Sequence, residues 1–158
     1  MNIFLNKKKF YIFIFIYSLT AIFFALYVEY ILQYEPCKLC LYQRIPYIVA
    51  IFISFIGYNY FKNKKILILI LIVFATSSLL SGYHYGIENN IFEEFSGCSG
   101  NAISITNKTE LLQSLSKNIK SCKDVNFKIF GQSLAGINFI LSIIITIYTL
   151  RILLYEKK

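Results

Sequence analysis

The sequence predicts an all-α membrane protein, a bundle of four transmembrane helices with two cysteine-bearing loops outside the cytoplasm. Three observations support this prediction. The chain of 158 residues is 57% hydrophobic and 18% aromatic, with a mean hydropathy of +0.60, which is too apolar for an ordinary soluble domain. Four apolar runs are long enough to cross a bilayer. The basic residues cluster between these runs in a way that favours one side of a membrane.

Each predicted span has at least the roughly 20 residues that, at about 1.5 Å per residue, cover the hydrocarbon core. We assign the whole chain to one integral membrane domain. The first span follows three lysines, as a secretory signal does, but its apolar run is too long and no small-residue cleavage motif follows, so we expect it to be retained. The predicted spans are residues 10–34, 41–61, 66–86 and 134–155, and the outward loops are residues 35–40 and 87–133.

The net charge of +8 has a topological explanation. Its basic clusters lie at the N-terminus, at the second connection and at the C-terminus, which share one side of the membrane after four crossings. The positive-inside rule makes that side cytoplasmic, so both termini are expected there and both cysteine-bearing loops on the other side. We therefore expect membrane lipids, and no nucleic acid, as partners. The clusters are Lys7 to Lys9, Lys62 to Lys65 and Arg151 to Lys158.

All four cysteines fall in the two outward loops. Disulfides persist outside the cytoplasm, so this placement favours oxidised cysteines. Four cysteines allow three pairings, and the sequence alone does not choose between them. Cys37 and Cys40 form the local pair, which leaves Cys98 with Cys122.

The C-x-x-C motif at Cys37 and Cys40 has three interpretations. A four-thiolate zinc site usually shows a second close pair, whereas Cys98 and Cys122 are far apart in the chain. A structural disulfide is a second possibility, although so small a ring staples little. The known use of this spacing is redox exchange, which is the interpretation we favour, with no bound metal.

The position of the motif supports redox chemistry. Pro36 suits the start of a helix, so Cys37 and Cys40 lie in the first turn of the second span, where the helix dipole favours a thiolate. Arg44 follows Cys40 by four residues, on the same helix face and about 6 Å along the axis. A guanidinium there favours negative charge on Cys40 or on a ligand beside it. The competing interpretation is that Arg44 extends to the lipid headgroups.

Two further features lie at the outer end of the third span and in the loop that follows it. His84, the only histidine, is either an anchor at the membrane interface or a hydrogen-bond partner for a bound polar cofactor. In the loop 87–133, the sequence Asn107-Lys108-Thr109-Glu110 has capping-box spacing ahead of an apolar face. We expect a short amphipathic helix there, lying on the outer membrane surface or packed on the bundle. Its apolar face would comprise Leu111, Leu112, Leu115 and Ile119.

Three motifs together resemble the DsbB-type membrane thiol oxidases of bacteria. They are PCKLCLYQR at the start of the second span, YHYGIE at the end of the third, and FGQSLAGIN leading into the fourth. The vitamin K epoxide reductase type also uses a four-cysteine relay on a helix bundle, but the Gln43-Arg44 and FGQSLAG matches favour the DsbB type. The resemblance covers nearly the whole chain and implies a protein of the bacterial inner membrane with periplasmic cysteine loops.

The resemblance also implies a route for two electrons. A reduced periplasmic dithiol carrier with a thioredoxin fold, similar to DsbA, would attack a Cys98–Cys122 disulfide at Cys98. Cys122 would then exchange with Cys37, leaving Cys40 to meet a quinone, either ubiquinone or menaquinone, from the membrane pool. Arg44 matches the arginine that supports quinone binding in this family, and His84 aligns with a histidine placed near the same site.

Redox potentials agree with a quinone as the electron acceptor. A DsbA-like protein has a potential near about −120 mV, so it is a strong oxidant that a structural disulfide, below about −300 mV, cannot regenerate. The bacterial periplasm is kept oxidising by DsbA, DsbB and quinone, which is the general frame for this expectation. The alternative function is a non-catalytic membrane scaffold or sensor whose cysteines bind zinc or form structural disulfides.

Overall fold

The computed structural model describes residues 7–93, 122–123, 128–129 and 131–156. Four of its helices are long and apolar enough to cross a membrane, so the predicted four-helix membrane bundle is confirmed. A two-stranded antiparallel hairpin precedes the last helix. In chain order the elements are α1 (Lys7–Tyr30), α2 (Lys38–Asn59), α3 (Lys64–Glu88), β1 (Lys128–Ile129), β2 (Gln132–Ser133) and α4 (Leu134–Glu156).

The helix ends differ from the predicted spans by a few residues. The first span was predicted to reach residue 34, but α1 ends at Tyr30. Beyond it the chain turns, because Gln33 adopts a left-handed φ of 59° and the Tyr34 amide donates to the Val28 carbonyl at 3.2 Å. In turn, α2 begins at Lys38 and takes three residues from the predicted loop 35–40.

Close contact between α3 and α4 depends on two glycines. A Cβ atom at Gly82 would lie 2.8 Å from the Phe139 ring, and one at Gly136 would lie 2.8 Å from the Tyr85 ring. Both distances are too short for real atoms. Small residues at helix interfaces let backbones approach closely, which is how membrane helices without a hydrophobic driving force pack.

The helices bury polar as well as apolar side chains against one another. The apolar core includes Tyr11, Ile14, Ile70 and Phe74, each no more than 1% exposed. By contrast, large apolar side chains on the outside of the bundle are exposed; Leu79, for example, is 74% exposed. Such outward apolar surface is what a protein surrounded by lipid tails requires.

The hairpin fixes the start of α4 against the end of α3. Its register pairs Lys128 with Ser133, and Gly131 at the turn has a φ of 80°. The Ser133 hydroxyl accepts from the Gly136 amide at 3.1 Å and donates to the Glu88 carboxylate on α3. Cys98 and the amphipathic helix predicted over residues 107–119 lie outside the described residues.

Candidate functional site

The C-x-x-C motif forms the first turn of α2. Cys37 is the N-cap residue, in an extended conformation with φ −70° and ψ 167°, and its sulfur accepts a hydrogen bond from the Cys40 amide at 3.3 Å. The two sulfur atoms lie 2.8 Å apart, and both residues are free thiols. Because the helix geometry already brings the two sulfurs together, this pair can form a disulfide and be reduced again without movement of the backbone.

The Cys37 thiol is unusually acidic. Its hydrogen bond with Cys40 lowers the pKa of Cys37 to about 5, with a further contribution from the hydrogen bond to His84 and despite the opposing effect of burial. These hydrogen bonds therefore favour the thiolate form of the Cys37 sulfur. A low pKa also makes Cys37 a good leaving group in thiol–disulfide exchange.

We expect the alkylation rate of Cys37 to have its midpoint near pH 5, well below the ordinary pKa of 9.0. Because the lowered pKa preserves the thiolate as pH falls towards about 5, reactivity should persist at neutral pH and disappear only in acid. Mass spectrometry of the iodoacetamide-labelled peptide measures this midpoint separately for Cys37. The substitutions Cys40→Ala and His84→Ala should each raise it, and a wild-type midpoint near the ordinary value would contradict this assignment.

His84 lies inside the bundle and contacts the cysteine pair. The side chain is only 3% exposed, so the interpretation as an interface anchor is wrong. Its Nε2 atom lies 3.5 Å from the Cys37 sulfur and 3.7 Å from a carboxylate oxygen of Glu88. On the other side of the ring, Nδ1 lies 2.8 Å from Nε2 of Gln43. The histidine thus links the sulfur of Cys37 to a polar network between the helices.

Cys122, in the connection between α3 and β1, lies at the same place. It is 2% exposed, takes part in a disulfide, and packs in one small cluster with Cys37, Leu39 and Ile87. Its sulfur, the Cys37 sulfur and a nitrogen of His84 all lie within 4.8 Å of one another. This spacing would suit a metal ion, but the Cys122 sulfur is in a disulfide, whereas the ligand form of cysteine is the thiolate.

Arg44 is held by a partner that the sequence did not indicate. Its Nη1 atom lies 2.6 Å from a carboxylate oxygen of Glu29 on α1, and the side chains are 18% and 23% exposed. Arg44 therefore bridges two helices instead of extending alone to the headgroups. Glu29 itself was a usable signal, because an ionisable residue inside an apolar span is a candidate functional residue, although its pairing with Arg44 depends on how the helices pack.

A cavity of about 280 Å³ lies between the helices beside these groups. The volume is near the lower end of the roughly 300–1,000 Å³ common for small-molecule sites. Most of its wall is apolar, and both cysteines of the motif contribute to the lining. The polar and ionisable lining residues also include Glu29, Gln43, Arg44, His84, Glu88 and Asn138.

Sequence reasoning also missed the amide and hydroxyl groups behind His84. Asn138 on α4 donates to the side-chain oxygen of Gln43 at 2.9 Å, and Tyr47 on α2 donates to Asn138. Gln43 belonged to a recognised motif but had no assigned role. Asn138 stood in a predicted span, where an amide side chain needs a hydrogen-bond partner, and that requirement was a usable signal.

Comparison with known proteins supports the resemblance seen in the motifs. The family described as "Disulfide bond formation protein DsbB" matches residues 7–152. A protein of Rickettsia prowazekii (strain Madrid E), "Uncharacterized protein RP370", is 36% identical over 147 residues, covering 89% of this chain and 84% of that protein. "Probable disulfide formation protein C" of Halalkalibacterium halodurans is 39% identical over 72 residues, covering 45% of this chain and 51% of that protein.

The family match extends from the start of α1 almost to the end of α4. It therefore covers α1, α2, α3, most of α4 and all four cysteines of the sequence. A disulfide oxidoreductase role in a multi-pass membrane protein follows from this match. The resemblance inferred from the three motifs is confirmed, and the chain belongs to the DsbB family of disulfide bond formation proteins.

Proposed function

We propose that this protein reoxidises a periplasmic DsbA-like dithiol carrier and passes the electrons to a quinone in the bacterial inner membrane. The observation that carries the proposal is the placement of Cys122, a disulfide cysteine, within 4.8 Å of the free sulfur of Cys37. Cys40 and the cavity lie directly beside Cys37. Cys122, the Cys37–Cys40 pair and the cavity are thus neighbours in the structure.

The first exchange occurs at a Cys98–Cys122 disulfide. Cys37 and Cys40 are free thiols, which supports Cys98 as the partner of Cys122 among the four cysteines. A carrier thiolate attacks the Cys98 sulfur, the bond between Cys98 and Cys122 breaks, and Cys122 leaves as a thiolate. The second carrier thiol then attacks the mixed disulfide, which releases oxidised carrier and a thiolate on Cys98.

The second exchange moves the electrons to the α2 pair. The Cys122 thiolate attacks Cys37 of an oxidised Cys37–Cys40 pair, and Cys40 leaves with the bonding electrons. Cys98 then attacks Cys122, restores their disulfide and displaces Cys37. Because the pKa of Cys37 is lowered to about 5, this sulfur leaves readily as a thiolate. The free thiols and the Cys122 disulfide of the structure correspond to the state after this step.

The cavity suits the head group of a quinone. Its largely apolar lining fits a flat ring, and the Arg44 guanidinium is a hydrogen-bond donor that can match a carbonyl oxygen in the cavity that Cys40 also lines. His84 lines the same cavity, although its ring nitrogens face Gln43 and Cys37. A bound quinone supplies an acceptor for two electrons and two protons. The chain's own contribution is to hold Arg44 in place through Glu29 and to keep both sulfurs within reach of the cavity.

The orientation follows from the same proposal. Both cysteine pairs face the periplasm, where the carrier is found, and both termini lie in the cytoplasm with the basic clusters. The cavity then opens among helices near the periplasmic surface, where a lipid-soluble quinone can approach from the bilayer.

Replacing Cys98 with alanine is expected to abolish the oxidation of reduced carrier, because no disulfide remains for the carrier to attack. The measurement is the rate of carrier oxidation by purified protein with a quinone analogue present. The Cys37 and Cys40 thiols should still form a disulfide when quinone is added, as read by thiol labelling before and after addition. Carrier oxidation at the wild-type rate in Cys98→Ala would show that the proposed route is wrong.

A further inference from the structure

We propose that Gln43 and Asn138 are positioning residues that fix His84 in the tautomer with hydrogen on Nε2, so that this N–H faces the Cys37 sulfur. The inference concerns a chain of side-chain amides that crosses from α4 to α2 and α3. Its consequence for turnover rests on the proposed function, whereas the tautomer itself can be measured without any turnover.

The donor-to-acceptor direction of this series of hydrogen bonds begins at the side chain of Asn138. Its side-chain oxygen accepts hydrogen bonds from the Tyr47 hydroxyl and from the Ser142 hydroxyl at 3.1 Å. An amide oxygen occupied by two donors places the NH2 group on the opposite side. That NH2 donates to the side-chain oxygen of Gln43 at 2.9 Å. In the structure the Asn138 amide therefore points its oxygen at the two hydroxyl groups and its NH2 at Gln43.

Gln43 connects the Asn138 amide to the imidazole of His84 by hydrogen bonds. The side chain is 8% exposed, and its oxygen already accepts from Asn138. Its NH2 group therefore faces Nδ1 of His84, at 2.8 Å. An amide nitrogen can only donate, so Nδ1 must accept and carries no hydrogen. A neutral imidazole without hydrogen on Nδ1 has its hydrogen on Nε2.

The Nε2–H group then points at two acceptors. The Cys37 sulfur lies at 3.5 Å and a Glu88 carboxylate oxygen at 3.7 Å. Since the His84 side chain is only 3% exposed, little water competes for this hydrogen. The arrangement is a donor aimed at the sulfur before the sulfur becomes charged, which is the preorganised form of electrostatic stabilisation.

The step that benefits is the displacement of Cys37. When the Cys98 thiolate attacks Cys122, a bond forms between these two sulfurs and the bond between Cys122 and Cys37 breaks, leaving the electron pair on Cys37. The hydrogen stays on Nε2 of His84 throughout and stabilises the departing thiolate. With the other tautomer, Nε2 would present a lone pair to the negative sulfur and would slow the same step.

Nitrogen NMR of the full-length protein in detergent tests the tautomer directly. The chain contains one histidine, so labelling histidine with 15N gives the signals of a single imidazole. Two-bond proton–nitrogen correlations distinguish the Nε2–H, Nδ1–H and doubly protonated rings. We expect wild-type protein at neutral pH to show a protonated Nε2 and an unprotonated Nδ1.

Two variants separate the contributions of the amides. In Asn138→Asp, a carboxylate of the same shape lacks the N–H that Gln43 accepts, so the Gln43 amide should turn and its oxygen should face Nδ1, which moves the hydrogen to Nδ1. In Gln43→Met, a side chain of similar length offers no donor, and a mixture of tautomers is expected. The matched control is Ser142→Ala, in which Tyr47 still donates to Asn138 and the Nε2–H ring should persist.

A wild-type ring with hydrogen on Nδ1 or on both nitrogens would overturn the proposal. A pure Nε2–H ring in both Asn138→Asp and Gln43→Met would overturn it as well. We further expect Asn138→Asp to reduce quinone turnover about tenfold with an unchanged KM for the carrier, which is the order of effect of one hydrogen bond to a charged sulfur. If the expected tautomers are observed but wild-type protein shows no turnover, the proposed function fails and the tautomer assignment stands.

Discussion

Replacing Cys37 with serine is expected to allow one equivalent of carrier to be oxidised per chain and then to stop the protein. On the proposed route, the Cys98–Cys122 disulfide remains and can react once, but a hydroxyl at position 37 cannot form the disulfide that moves electrons onward. Steady-state quinone reduction should therefore fall by about 1,000-fold or more, as for other residues that form a covalent intermediate. Rapid-mixing measurements of carrier oxidation, together with quinone absorbance, detect both effects.

The matched control for this burst is Cys98→Ala, which should oxidise no carrier at all. Serine at position 37 changes one atom at an N-cap site, where a hydroxyl accepts hydrogen bonds as well as sulfur does. Loss of folding is therefore not the expected cause of inactivity. Continued quinone reduction in Cys37→Ser would mean that electrons bypass Cys37, which would contradict the exchange between Cys122 and Cys37.

Replacing Arg44 with alanine is expected to raise the KM for a quinone analogue about tenfold or more. The Arg44 side chain lines the cavity. A hydrogen bond from a charged donor contributes about 1.5–3 kcal/mol, and about 1.4 kcal/mol corresponds to a factor of ten. Oxidation of carrier in the first turnover should be unaffected, because the proposed route places that reaction at Cys98. Steady-state kinetics at several quinone concentrations measure the change.

The matched control for Arg44 is Arg151→Ala, since Arg151 is an exposed arginine near the end of α4. It should leave the KM for quinone unchanged. Glu29→Gln is informative beside them, because it removes the ion pair with Arg44 but keeps the arginine. An unchanged KM in Arg44→Ala would exclude Arg44 from the quinone site.

The helices and the local cysteine pair could be predicted because the signals are local in sequence. A run of about 20 apolar residues specifies a membrane span regardless of its neighbours. Similarly, residues three and four apart share a helix face, which placed Cys37, Cys40 and Arg44 together. The end of α1 could not be predicted, because Gln33, which adopts a left-handed φ of 59° beyond the helix, gives no such signal.

The partners of these residues could not be predicted because they come from distant parts of the chain. Glu29 meets Arg44 across 15 residues, and Asn138 meets Gln43 across 95 residues. Their pairing depends on how α1 and α4 pack against α2, which hydropathy does not encode. The position of His84 in the sequence likewise suited either a membrane-interface anchor or a partner for a polar cofactor. Only the packing of the bundle shows that its ring faces Cys37.

The measurement that tests the account most directly is turnover by wild-type protein. Purified protein in detergent is mixed with excess reduced DsbA-like carrier and a soluble ubiquinone or menaquinone analogue, while thiols and quinone absorbance are followed together. The account predicts many turnovers, with one quinone reduced for each carrier disulfide formed and none reduced when Cys40 is replaced by serine. Carrier oxidation that stops after one equivalent with both analogues, or quinone reduction that persists in Cys40→Ser, would contradict it.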